Sequence, residues 1–172
     1  GSSDVCSSDL LLTLTFGCFF FDFDLDGKLD IFTANGHLEN KINLVQSEVT
    51  YKQAPHLFRN IGNAKFVDVA NQNTELMEPI VGRGAAYGDI DNDGDWDLVV
   101  TNCNGHPRLF RNDRKTLHSW IKIKLIGKKS NRDGIGSRVK VTTESGFQLR
   151  TLRSGSSYCS QSELSIIFGL GN

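Results

Sequence analysis

The chain has 172 residues, 38 % of them apolar, with 17 glycines and a single methionine, a balance that favours turns and strands over long helices. Its net charge of −1 hides a division: residues 1–106 hold 16 acidic and 6 basic side chains, residues 107–172 hold 4 and 13. A reversal from −10 to +9 predicts two modules with opposite surfaces that can attract each other.

In chain order, residues 1–10 (GSSDVCSSDL) form a Ser/Asp run of low complexity. It reads as translated sequencing-adapter DNA or a cloning scar and is set aside from the fold. The apolar stretch from Leu10 to Phe21 has no basic residue before it and runs straight into acidic sequence, so it reads as a buried strand rather than a signal peptide. Residues 31–35 supply a second strand. Residues 36–55 lack periodicity and form a long loop, a candidate for contacts with a partner. Strands follow at His56-Leu-Phe-Arg-Asn60 and Lys65-Phe-Val-Asp-Val69, then a second long loop at 70–83, then strands at 84–88 and 97–101. Arg108-Leu-Phe-Arg-Asn112 repeats the earlier LFRN text. Grouping residues 56–102 gives four strands, one propeller blade with the acidic run as the hairpin between its last two strands. Residues 16–35 then supply the closing half of a preceding blade.

The acidic run occurs twice, sixty-seven positions apart: Asp22, Asp24, Asp26, Gly27, Asp30 and Asp89, Asp91, Asp93, Gly94, Asp97. Carboxylates on alternate residues of a tight loop converge on one point, which suits a hard cation taking 6 to 8 oxygens at about 2.3–2.6 Å. Glycine at the sixth position permits the turn and brings the backbone carbonyl of the seventh residue, Lys28 or Asp95, towards the metal. Two Ca2+ sites are expected, with an affinity on the order of 10⁻⁴–10⁻³ M. A solvated acidic turn explains one such run poorly and two aligned copies worse.

Beyond residue 112 the pattern changes. His118 to Ile126 alternates Ile121, Ile123 and Leu125 with outward Lys122 and Lys124; residues 137–142 do the same with Val139 and Val141 inward. Asn131-Arg-Asp-Gly134 reads as a turn, and strands are expected at 147–153 and 164–168. Cys6, Cys18, Cys103 and Cys159 show no C-x-x-C spacing and are expected to be buried free thiols. His37, His56, His106 and His118 stand singly, which points to packing and turn roles rather than to catalysis. Ser154 to Ser162 lacks a strand-turn-helix elbow and reads as a turn, not a nucleophile.

The texts DFDLDGKLDIFTANGH and GRGAAYGDIDNDGDWDLVVTN, with the repeated LFRN, resemble FG-GAP/VCBS repeats of the integrin-α-like propeller type. The tail, HSWIKIKLIGKKSNRDGIGSRVKV and SGSSYCSQSELSIIFGLG, resembles the ASPIC/UnbV domain of cartilage acidic protein relatives. Lys28 departs from the family pattern at the seventh position, where only the backbone carbonyl is needed. The resemblance implies an all-β fold: a partial integrin-α-like β-propeller of about one and a half four-stranded blades at 16–112, then a small β-sandwich-like domain at 113–172, truncated at its C-terminus. It also implies a calcium-stabilised module that is secreted, extracellular or periplasmic, with a protein or glycan ligand and no known reaction. The alternative is an accessory or catalytic part of a secreted polysaccharide-active or biosynthetic enzyme. The basic residues Lys122, Lys124, Lys128, Lys129, Arg132, Arg138 and Lys140 suit an acidic polysaccharide or docking on the acidic propeller. Without interleaved aromatics, no nucleic-acid partner is expected, nor is a membrane span.

Overall fold

The computed structural model describes residues 11–72, 75–114, 118–144 and 146–171. Strands β1 (Thr15–Phe21), β2 (Asp30–Asn35), β3 (His56–Gly62) and β4 (Lys65–Asp68) form one antiparallel sheet in that order. A second antiparallel sheet joins β5 (Gly82–Gly88), β6 (Asp97–Asn102) and β7 (Arg108–Phe110). Two ribbons complete the chain: β8 (Ser119–Lys124) pairs with β11 (Ser165–Gly171), and β9 (Arg138–Thr143) with β10 (Gly146–Thr151). The architecture is all-β, with open propeller-like sheets and no closed barrel.

The grouping of strands differs from the one expected. Each acidic run is the hairpin between the first and second strands of a sheet, closed by the pairs Phe21↔Asp30 and Gly88↔Asp97. The LFRN strands β3 and β7 are third strands, with Phe58 opposite Ile31 and Phe110 opposite Leu98. A repeating sequence yields its period but not its starting point, and the cut at residue 56 split a sheet that begins at residue 15.

Period-two alternation builds the sheets. Along β1, Gly17, Phe19 and Phe21 turn inward while Cys18 and Phe20 face out. Phe19 stacks on Phe32 and touches Phe21 and Tyr87, and Tyr87 meets Trp96 edge-on. These rings, with Leu57, Leu98 and Val100, form a core shared by the two sheets, each buried large side chain contributing about 2–3 kcal/mol. At the end remote from the acidic loops the sheets meet backbone to backbone. A β-carbon at Gly36 would lie 2.7 Å from Gly82 N, one at Gly82 would lie 2.8 Å from Asn35 O, and one at Gly17 would lie 2.9 Å from Arg83 O.

The C-terminal ribbons face each other over Leu152, Ile166 and Phe168, with Ile123, Val139 and Val141 packed alongside. The expected Asn131–Gly134 turn is present, closed by Gly134 N donating to Asn131 O at 3.2 Å. Two expectations fail. Ile121 is exposed, whereas Lys122, assigned to the wet face of β8, is turned onto the propeller. Cys18, Cys103 and Cys159 are free but exposed rather than buried; Cys6 lies outside the described residues.

The ribbons are seated on the sheets rather than separate from them. Ile167 belongs to the propeller core. The serine-rich segment pins the inner strands: Cys18 N donates to Ser157 Oγ at 3.2 Å, Tyr87 N to Ser162 Oγ at 3.2 Å, and Glu163 N to Tyr87 O at 3.0 Å.

Candidate metal centres

Both acidic hairpins adopt the same backbone. Gly27 and Gly94 sit at φ 88° and 97°, and two residues earlier Leu25 and Asn92 both sit at φ 60°. A left-handed residue followed by a left-handed glycine curls the chain so that alternate carboxylates face one centre. Asp22, Asp24 and Asp30 each place one carboxylate oxygen within 4.8 Å of the others, and Asp89, Asp91 and Asp97 do the same.

Asp26 and Asp93 stand outside these triads. Each accepts the backbone N–H two residues on, from Lys28 at 2.8 Å and from Asp95 at 3.2 Å, which tightens the turn. The Lys28 ammonium folds back on Asp26 at 2.6 Å. Asp95, expected to act through its carbonyl, also buries its side chain, and burial, then Asp93, pushes that carboxyl up to about 8.

The ninth-position carboxylates act as clamps. Asp30 accepts Phe23 N–H at 3.1 Å and Asn60 N–H at 2.8 Å; Asp97 accepts Ile90 N–H at 2.8 Å and Asn112 N–H at 2.8 Å. This gives the LFRN repeats a purpose that sequence reasoning missed. Their asparagine ties the third strand to the loop, and the Asn112 side chain reaches across to Phe23 O of the other hairpin at 2.9 Å. Their arginine faces the third-position aspartate: Arg59 Nε lies 2.7 Å from Asp24 Oδ2, while Arg111 stays 4.0 Å from Asp91. The recurrence of RN after each ladder was the available signal.

The charge in these cages is not balanced by hydrogen bonds. Asp22 Oδ1, both Asp24 oxygens, Asp89 Oδ1 and Asp95 Oδ1 are buried with no hydrogen-bond donor. Arg59 is close enough to Asp24 to offset charge, but off the N–H direction, so the lone pair stays unfilled. Burial pushes the Asp22 carboxyl up to about 6 and Asp30 up to about 7. Like charges about 4 Å apart repel by around 4 kcal/mol at an effective dielectric of 20. A divalent cation supplies what these oxygens lack, and the residues present fit one.

The C-terminal region covers both hairpins. Over the first, His118 Nδ1 lies 3.0 Å from Asp24 O and Arg150 reaches Gly27 O at 3.3 Å. Over the second, Trp120 lies flat where a β-carbon of Gly94 would fall. Lys122 Nζ sits 2.9 Å from both Asp89 and Glu163. Glu163 also accepts Asp89 N–H at 2.9 Å.

Successive antiparallel sheets with acidic first hairpins, tied together at their inner strands, define a tandem-repeat protein of the propeller type. Residues 22–100 match the FG-GAP-like repeat family and residues 127–172 match ASPIC and UnbV, so the chain carries an FG-GAP-like repeat region followed by an ASPIC and UnbV region. Such regions are β-rich modules of extracellular proteins and are generally not catalytic. No curated protein matches the chain. No helix among the described residues is long and apolar enough to cross a membrane.

Proposed function

We propose that the chain is a non-catalytic module of an exported protein that binds two Ca2+ ions and presents a surface to a protein or glycan. The observation that carries the calcium reading is the pair of matching cages whose buried carboxylate oxygens find no donor. Asp22, Asp24, Asp26 and Asp30, with the Lys28 carbonyl, hold one ion. Asp89, Asp91, Asp93 and Asp97, with the Asp95 carbonyl, hold the other. Bound calcium offsets half the formal carboxylate charge of each cage and staples its hairpin.

The test is a thermal melt of the metal-free chain, repeated with calcium and then with excess EGTA. Calcium should raise the melting temperature and EGTA should return it; a melt that ignores both sinks the calcium reading. For the ligand, loop 36–55 exposes Leu38, Leu44 and Val45, an apolar patch suited to a protein surface. Lys124, Lys128, Lys129, Arg132, Arg138 and Lys140 are all exposed and suit an acidic polysaccharide. Salt-sensitive retention on heparin supports the polysaccharide, and passage without retention at low salt removes it.

A further inference from the structure

We propose that Lys122, carried by β8 of the C-terminal region, opposes calcium in the second acidic loop and couples that loop's occupancy to the seating of the region. This rests on the calcium reading above. The two loops share their backbone but not their surroundings. In the first, Asp22 Oδ2 accepts the loop's own Gly27 N–H at 3.0 Å, and the cation against the cage is Arg59 of the same sheet, 2.7 Å from Asp24. In the second, the equivalent Asp89 Oδ2 receives the Lys122 ammonium at 2.9 Å, leaving Oδ1 buried without a donor. Glu163 holds Lys122 from the far side, also at 2.9 Å, so the ammonium is fixed between two carboxylates rather than free to swing away. A second cation entering the cage meets a positive charge already bound to one of its ligands. Calcium and Lys122 therefore oppose each other, and by linkage calcium in this loop must weaken the contact that Lys122 makes.

The chain carries its own reporter. Its two tryptophans are Trp96, within the second loop, and Trp120, lying against Gly94 of the same loop. Terbium bound there is sensitised by indole; because Trp96 and Trp120 also lie beside Leu25 of the first loop, the single-site variants assign the luminescence to its loop, while calcium calorimetry reads both.

The experiment titrates the full chain with calcium and, separately, with terbium. Wild type should show two sites. Asp91→Asn should delete the second and Asp24→Asn the first. Lys122→Met should tighten the second site by about tenfold, shifting its terbium curve to lower concentration, with the first site unmoved. Lys122→Arg keeps the charge and should keep the wild-type affinity, which separates loss of charge from loss of folding. A second site unmoved by Lys122→Met overturns the role of Lys122 and leaves the calcium reading standing. No calcium uptake by wild type overturns both.

Discussion

In the first acidic loop Asp22, Asp24 and Asp30 are all sealed from solvent, whereas in the second Asp91 lies open and a lysine from another strand holds Asp89. The hairpins themselves are alike to within a few degrees at the φ angles that shape them. Local sequence therefore sets the cage, and distant sequence sets what the cage feels. Two copies of one motif are not two copies of one site, because neighbours from β8 and β10 reach them differently.

The strongest way to break the comparison is to remove the clamps. Asp30→Ala and Asp97→Ala each strand two backbone N–H groups and should each cost about 3–5 kcal/mol in urea denaturation. Equal losses support equivalent hairpins; a mild Asp97→Ala would show that the second is held by its cover instead. Next come the turn glycines. Gly27→Ala and Gly94→Ala both force a side chain to positive φ, costing about 1–2 kcal/mol. Gly94→Ala must also displace Trp120, raising its cost to about 3 kcal/mol and shifting tryptophan emission, whereas at Gly27 the nearest atoms, Gln148 Nε2 at 3.0 Å and Gly169 O at 3.1 Å, need give by only a few tenths of an ångström. The smallest effects concern the arginines. Without calcium, Arg59→Ala should cost about 1 kcal/mol, since it leaves buried Asp24 less compensated, and saturating calcium should narrow that loss. Arg111→Ala, on an exposed residue that pairs with Asp113 at 2.8 Å and stays 4.0 Å from Asp91, should leave the denaturation midpoint unmoved with or without calcium.

What could be read from the sequence was what repeats or alternates. The ladders and the Val139 and Val141 face of β9 follow from spacing alone, whereas Phe19, Phe20 and Phe21 look alike in sequence and only the fold decides that Phe20 faces out. Sheet membership did not, because β2 and β3 are joined by a long irregular loop and hydrogen bonding between them leaves no periodic trace. Nor did the covering contacts. Lys122 reads as one more alternating lysine until the seating of β8 turns it onto Asp89. Leu25 at positive φ was equally hidden, since leucine rarely adopts that conformation and only its alignment with Asn92 gives it away. The cysteines were misjudged by composition: free thiols are usually buried, but Cys18 falls on the outward parity of β1.

The glycine contacts at Gly17, Gly36 and Gly82 have a geometric consequence at the opposite end of the sheets. Where two backbones touch at one end and the packed rings of Phe19, Phe21 and Tyr87 separate them at the other, the inner strands splay. The acidic hairpins lie on the splayed end, so the rim they form is wider than the base. That opening is where His118 and Trp120 come to rest. Adding a methyl group at Gly36 would wedge the narrow end apart and flatten the taper, and the seat of the C-terminal region would be lost without changing any residue that touches it.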